Sequence, residues 1–362
     1  MGIGKGTLET MDLNYEFWNN KKVLITGHTG FKGTWLSLIL SSLNSRLCGY
    51  ALKPYTNPNF FDVISRNLVM QSVIGDIRDY EKLKKTIYEF NPEIIIHMAA
   101  QPLVRLSYDN PVETYGTNVL GLVNLLDIAK QSRSLRALLN VTSDKCYENY
   151  ESLKSYNESD PLGGHDPYSN SKACAELVTT SFLKSFYKKL NIGLATARAG
   201  NIIGGGDWSQ DRLIPDFIRA QQSNRKLIIR YPKAVRPWQH VIDPIIGYLK
   251  LCEKLYSDPH QYSEPWNFGP DDSSIVNVET LIKKMQDYSN KKVNVELDQN
   301  ESKHEATLLK LDVNKAKNKL SWVARWDFEN AIKNTLDWYE CFYQSYDIYN
   351  FSLEQFRKYQ SR

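Results

Sequence analysis

The sequence predicts an α/β protein built on a doubly wound parallel sheet, followed by a smaller C-terminal lobe. Three observations predict it. Short apolar runs alternate with stretches of helical apolar spacing from Lys22 to Arg198. The connections between them are short. The first run leads straight into a glycine-rich turn that opens a helix. Helices cover both faces of a parallel sheet, so its strands read as continuous apolar runs rather than alternations. Strand–helix alternation is the pattern of such sheets.

The elements follow in order. Lys22–Thr26 (KVLIT) reads as the first buried strand and Thr34–Leu43 as the first helix. Arg46–Leu52 and Val73–Gly75 are the next strand candidates, the latter ending at Asp76. Asp79–Phe90 carries helical spacing, and Glu93–His97 (EIIIH) is a fourth strand. Asn118–Lys130 reads as a helix, Ala137–Thr142 (ALLNVT) as a fifth strand, Tyr168–Phe186 as a long helix and Ile192–Arg198 as a sixth strand. Past Gly204 the pattern weakens. Gly204–Asp207 reads as a loop, and Arg230–Val241, dense in Pro, Trp and Arg, as an irregular pocket-lining segment. Val241–Tyr256 is helical and Trp266–Gly269 a short strand, while Ile275–Asp287 and Phe328–Tyr343 read as helices of the smaller lobe.

Composition narrows the class. Of 362 residues, 42% are apolar and 24% charged, which suits a globular protein with one large core and a smaller lobe. A net charge of +4 is too small to argue for nucleic acid. No apolar run approaches the ~18 residues of a membrane helix, and Met1–Glu16 lack the apolar stretch of a signal peptide. Cys48, Cys146, Cys174, Cys252 and Cys341 lie far apart without a CxxC pair. That spacing points to a reduced cytoplasmic protein with neither a disulfide framework nor a metal site.

Gly27, Gly30 and Gly33 fall three apart in Thr26-Gly27-His28-Thr29-Gly30-Phe31-Lys32-Gly33. They follow a strand and open a helix, the setting of a dinucleotide pyrophosphate site. Glycine tolerates positive backbone angles, and the helix N-terminus offers free N–H groups to phosphates that approach closely. Thr29, Phe31 and Lys32 complete the turn. An acid about 20 residues further on ordinarily binds the adenosine ribose. Here the second strand ends Gly49-Tyr50-Ala51-Leu52-Lys53, without one. The turn alone leaves NAD and NADP open, and Lys32 or Lys53 can favour a 2′-phosphate. Asp76 and Ile77, after the third strand, would sit near the adenine, with helix capping as the rival role for Asp76 or Asp79. His28 and His97 read as structural.

Tyr-x-x-x-Lys puts a phenol and an ammonium on one helical face, where the cation favours the phenolate that can take a hydroxyl proton. The spacing occurs at Tyr80, Tyr150, Tyr168 and Tyr288. Only Tyr168, with Lys172, heads a long helix that follows a strand ending in Ser143 and Asp144.

With these residues assembled, the chain resembles the extended short-chain dehydrogenase/reductases. The glycine turn, Met98-Ala99-Ala100-Gln101, Asn118, Ser143, Tyr168/Lys172 and Arg198-Ala199-Gly200-Asn201 occur in that family's order, over about residues 20 to 345. The resemblance implies a Rossmann-type domain at 20–204 and 238–269 and a nucleotide-sugar lobe at 205–237 and 270–350; outside it, 1–19 read as a flexible extension and 351–362 as a mobile tail. It also implies NAD on the glycine turn, with Ala99, Ala100, Gln101 and Asn118 beside it, and a homodimer, or a dimer of dimers, joined through a four-helix bundle.

The strand end, Val141-Thr142-Ser143-Asp144-Lys145-Cys146-Tyr147, narrows this further. Nucleotide-sugar 4,6-dehydratases carry an acid and a second proton-transfer group here. The Asp-Lys pair resembles the CDP-glucose 4,6-dehydratase subfamily, as do GHTGFKG, HMAAQPLVRLSY, DPYSNSK, GGGDW, DRLIPD and RPWQHV. The implied roles are Tyr168 as base for the 4-hydroxyl, Ser143 as donor to the ketone, Asp144 as acid at C6 and Lys145 as base at C5. A protonated Asp beside a neutral Lys reverses their ordinary charges. Alternatives are titration of the pair as one unit or an intervening water; the plain reading is a loop salt pair.

For the substrate, Arg236 matches the family's pyrophosphate arginine, whose planar fork suits phosphate oxygens. Arg212 and Leu213 lie in a stretch similar to its nucleotide-binding segment. Asn201 is expected to bond the sugar or phosphates, Gln101 and Arg105 lie at the carboxyl edge of the fourth strand, and His304 would close over the nucleotide. Arg105, Arg236 and His304 also read as surface or inter-lobe contacts, and Trp208 and Trp238 as core or as base-stacking residues. The implied substrate is CDP-glucose. A GDP-, UDP- or dTDP-linked sugar, with dehydration or epimerisation, is the nearest alternative. A non-catalytic NAD(P) sensor is the more distant one.

Overall fold

The computed structural model describes residues 13–151, 154–289, 292–298 and 308–361. Twelve strands are formed among them: β1 (Lys22–Thr26), β2 (Arg46–Ala51), β3 (Met70–Ile74), β4 (Ile94–His97), β5 (Ala137–Val141), β6 (Gly193–Ala199), β7 (Asn201–Ile203), β8 (Leu227–Ile229), β9 (Val235–His240), β10 (Pro265–Phe268), β11 (Ile275–Asn277) and β12 (Val295–Leu297). Seven make one parallel sheet in the order β3-β2-β1-β4-β5-β6-β10. The chain runs outward from β1 to β3, then returns to β4 and runs the other way. The crevice at the carboxyl ends of β1 and β4 is where such sheets bind ligands.

The pleat explains why these strands are apolar throughout. Val23, Ile25, Ile94, Ile96 and Leu139 join one core layer, while Leu24, Ile95 and Leu138 join the other, all without solvent exposure. The first layer is closed by Trp35, Leu36 and Leu38–Leu40 of the helix Phe31–Ser42 and by Ile242–Ser257. The second is closed by Leu83 and Ile87 of Tyr80–Phe90 and by Leu122–Ile128 of Gly121–Ala129.

The smaller lobe carries two little sheets, β11-β9-β7 and β12-β8. The segment expected to be irregular, Arg230–Val241, is in fact a strand over β9, parallel to β7 and antiparallel to β11. Pro237 hides the strand pattern, and partners of only three residues tolerate its missing donor. No helix of the described residues is long and apolar enough to cross a membrane.

Both termini correct the expectation of mobile ends. Within the described part of 1–19, Asn14 caps a short helix, Tyr15–Trp18. Trp18 is fully buried and its indole donates to Glu253 Oε1 at 2.7 Å. The tail expected at 351–362 lies largely in the helix Ile348–Gln360, which buries Leu353, Phe356 and Tyr359. Its end is held by Arg325, whose guanidinium donates to the Tyr359 and Gln360 carbonyls at 3.2 and 3.1 Å. The Tyr359 hydroxyl donates to Asp243 Oδ1 at 2.7 Å, and the same oxygen accepts from the Arg325 N–H.

Burial raises the Asp243 carboxyl to about 7, so the folded chain holds its proton more tightly than the unfolded chain. Its contribution to stability is fully present below the ordinary carboxylate value of ~4 and is lost as pH rises through about 7. Thermal unfolding between about pH 5 and about pH 9 should show a steeper fall in Tm for the native chain than for Asp243→Asn. Parallel declines would reject this role.

Candidate active site

β5 ends at Val141, and the chain passes through Thr142 into Ser143, which is extended and begins one 3₁₀ turn, Asp144–Cys146. The Ser143 hydroxyl accepts from the Lys145 N–H at 3.3 Å and donates to Asp144 Oδ1 at 3.0 Å. Lys145 Nζ donates to that same oxygen at 3.4 Å. Asp144 is buried, and Gly200 makes room for it: a Cβ there would stand 3.1 Å from Asp144 Oδ2. The facing helix, Pro167–Phe182, is started by Asp166, which accepts from the Ser169 N–H at 2.9 Å and from Ser169 Oγ at 2.5 Å. Pro167 sits where its missing N–H does no harm. This cap fixes Tyr168 in the first turn and Lys172 one turn on.

Tyr168 faces Ser143 across the cavity they both line. Burial pushes its phenol up to about 12; Ser143 and the Arg212 charge pull down, and Asp144 pushes up. Lys172 lies one turn further along the same helix. Its Nζ donates to the Val141 carbonyl at 3.4 Å, and burial brings the ammonium itself down to about 8, with Glu176 opposing.

The glycine turn has the shape its spacing implies. Gly27 has φ +77°, and a Cβ there would come within 2.8 Å of the Ala99 nitrogen. A Cβ on Gly33 would lie 2.1 Å from the Gly27 oxygen. At Gly30, which caps Phe31–Ser42 without a side-chain bond, a Cβ would meet only the Gly27 oxygen, at 3.4 Å. The first N–H groups of that helix have no intrahelical acceptor, so open space beside an uncapped helix start fits a pyrophosphate.

The neighbouring side chains have partners within the chain. Thr29 Oγ1 donates to the Leu52 carbonyl at 2.8 Å. Asp76 accepts from Arg78, which binds both carboxylate oxygens and holds the carboxyl below its usual range. Ile77 is core, packed against Gly121. Gln101 donates to Thr114 Oγ1 at 2.9 Å and to the Leu103 carbonyl at 3.1 Å. Asn118 accepts from the Gln101 N–H at 2.8 Å and donates to Ser171 Oγ at 2.9 Å. These two amides brace the loop after β4 against the tyrosine helix. His28 and His97 are structural, bonded to Ser72 and Thr26 at 2.7 Å each. Trp208 packs edge-on against Trp338, Tyr339 and Phe342 as core.

A cavity of about 540 Å³ opens at the carboxyl edge of the sheet. Ser143, Asp144, Lys145, Tyr168 and Lys172 line it with Phe31 and Ala100. Arg105, Asn201, Arg212, Leu213 and Arg236 line it from the loops and the smaller lobe. Arg212 is set by Asp207, at 2.9 Å. Lys32 also enters this cavity rather than facing an adenosine, and burial with the charges of Lys172 and Arg212 brings its ammonium down to about 7. His304 lies outside the described residues. Sequence reasoning missed Asp166, Asp207 and Gly200 as shaping residues. The Asp-Pro start of the tyrosine helix is the one signal that pointed to any of them.

Sheet, glycine turn and the Ser143–Tyr168–Lys172 constellation define an extended short-chain dehydrogenase/reductase. The chain belongs to the GDP-mannose 4,6 dehydratase family, whose profile matches residues 24–335. It is 47% identical over 354 residues to the CDP-glucose 4,6-dehydratase of Salmonella typhimurium, covering 96% of this chain and 99% of that one. It is 25% identical to the human dTDP-D-glucose 4,6-dehydratase, over 93% of this chain and 95% of that one. Its fold resembles the solved dTDP-glucose 4,6-dehydratase from Bacillus anthracis in complex with NAD, with a TM-score of 0.73 at 22% identity, covering 91% and 99% of the two chains. An epimerase from Methanothermobacter thermautotrophicus gives a TM-score of 0.79 at 21% identity, over 91% of this chain and 95% of that one.

Proposed function

We propose that this chain converts CDP-glucose to CDP-4-keto-6-deoxyglucose and water, with NAD held on the Gly27–Gly33 turn. The observation that carries the reading is the buried Asp144, paired with Lys145 in one cavity with Ser143 and Tyr168. An epimerase has no use for such a pair; a dehydratase needs an acid and a base beside the tyrosine. The CDP-glucose 4,6-dehydratase of Salmonella typhimurium, alike over almost the whole length, supports the same choice.

NAD held on that turn would supply the hydride acceptor for oxidation at C4 of the glucose and the hydride donor for reduction at C6. Tyr168 takes the 4-hydroxyl proton, and Ser143 donates to the oxygen that becomes the C4 ketone. The ketone acidifies the C5 proton. Lys145 removes it while Asp144 protonates the departing C6 hydroxyl, which leaves as water. Arg212, Arg236 and Asn201 hold the diphosphate and sugar.

We further propose a homodimer. Val112, Leu120 and Leu177 are 86%, 62% and 58% exposed, and they lie on packed helical segments of the kind that form the family's bundle. Five free cysteines suit a reducing compartment such as the cytoplasm.

Incubation with CDP-, UDP-, GDP- and dTDP-glucose should give a 4-keto product with CDP-glucose first; a product only from another donor refutes the substrate. Lys145→Met should reduce turnover roughly 10²–10⁴-fold and stop solvent deuterium from entering C5. Normal incorporation in that variant rejects Lys145 as the base. Leu120→Asp should convert dimer to monomer by light scattering, and an unchanged mass would dismiss this surface as the interface.

A further inference from the structure

The chemistry of the cavity changes along its length. Ser143, Asp144 and Tyr168 form its catalytic end. Arg212 acts on both Tyr168 and Lys32, and so borders that end. Beyond Arg212 the wall is made by the start of the helix Leu213–Ser223 and by the segment of Ile229, Arg230 and Tyr231. Leu213 and Asp216, three residues apart, share one face of that helix, and both line the cavity. The groups that act most on Asp216 are Arg219, Asp211 and Arg230, none of them catalytic. Asp216 thus stands one helical turn past Arg212 on the same stretch of cavity wall. A base attached beyond a diphosphate on Arg212 would meet that stretch.

Asp216 is set firmly. Arg219 donates to its Oδ1 and is itself anchored by the Trp208 and Ser209 carbonyls at 2.9 and 3.0 Å. Its other oxygen, Oδ2, has no hydrogen-bond partner among the described residues. A carboxylate repels a diphosphate, so anion binding is not its use. An ionised carboxylate only accepts hydrogen bonds. Cytosine presents a 4-amino donor where uracil and thymine present a 4-oxo acceptor. We infer that Asp216 selects the base, its Oδ2 accepting from the 4-amino group of cytosine and repelling the oxo group of uridine and thymidine donors. The inference rests on the CDP-glucose reading and deepens it. The partly buried setting strengthens both the attraction and the rejection.

The test compares kcat and KM for CDP-glucose and UDP-glucose in the native chain, Asp216→Leu and Asp216→Asn, with calorimetric titration of CMP and UMP. Asp216→Leu should lower kcat/KM for CDP-glucose roughly tenfold to a hundredfold, with the loss falling on KM, while UDP-glucose loses nothing. Asp216→Asn, nearly isosteric and able to donate to an oxo group, should bind UMP more tightly and CMP more weakly than the native chain. A fold defect would weaken both nucleotides alike. An equal loss for both donors, or a native CMP-to-UMP ratio in Asp216→Asn, overturns the assignment. A native chain that prefers a uridine or thymidine donor refutes the reaction reading itself, whereas a CDP preference that survives both substitutions refutes only the role of Asp216.

Discussion

Glu176 and Arg198 meet at 2.8 Å, only 1% and 2% exposed, directly behind the catalytic turn. Two buried charges persist only when their remaining lone pairs and protons are satisfied. Glu176 accepts from Thr142 Oγ1 at 2.5 Å and from Thr196 Oγ1 at 2.7 Å. Arg198 donates to the Tyr147 hydroxyl at 2.7 Å and the Glu158 carbonyl at 3.3 Å, and Tyr147 passes its own proton to Asn267 Oδ1 at 2.7 Å. The network thereby ties the tyrosine helix to the end of β5, to β6, to the residue after the Asp144–Cys146 turn and to β10. Removing one member of such a pair generally costs ~3–5 kcal/mol, because the other charge is left stranded.

What this frame contributes is distance more than stability. Tyr168, Lys172 and Glu176 follow at four-residue spacing on one helix, so anchoring Glu176 fixes the other two relative to Ser143. Glu176 also supports the charge of Lys172 against burial. A second brace acts from the other side, where Asn118 joins the Gln101 backbone to Ser171. The tyrosine helix is thus held on two faces, and the geometry of its first turn does not depend on the loops around the cavity.

The sheet was legible because burial on both faces leaves runs such as KVLIT and EIIIH that no other element explains as well. Tyr168 was legible as a cavity residue from its place after a strand and at a helix start. The direction of individual side chains was not. Lys32 sits in a turn whose backbone the glycines dictate, but which cavity its side chain enters depends on how the helix lies against β5 and the smaller lobe. The hydrogen bonds by which Gln101 and Asn118 brace the chain were not legible either, since their partners Thr114 and Ser171 meet them only in the folded protein. The C-terminal helix escaped notice because Leu353, Phe356 and Tyr359 stand among Glu354, Gln355, Arg357 and Lys358. Its anchor, Asp243, lies more than a hundred residues earlier.

The cavity shows why so much structure is spent on holding a few side chains. Lys32, Lys172 and Arg212 line a common space. Burial with repulsion from Lys172 and Arg212 brings Lys32 to about 7, and burial brings Lys172 to about 8 against the pull of Glu176. Such an array is not self-stabilising, and free to move it would relax toward solvent. Each cation is instead carried by something rigid: Lys172 by the helix that Glu176 anchors, Arg212 by Asp207, and Lys32 by the turn whose glycines admit no other backbone path. Positive charge arranged in advance, away from water, favours a ligand bearing several phosphates without reorganisation when it arrives. The buried pair behind the turn and the cations before it are two sides of one arrangement, in which a paired charge network holds an unpaired one in place.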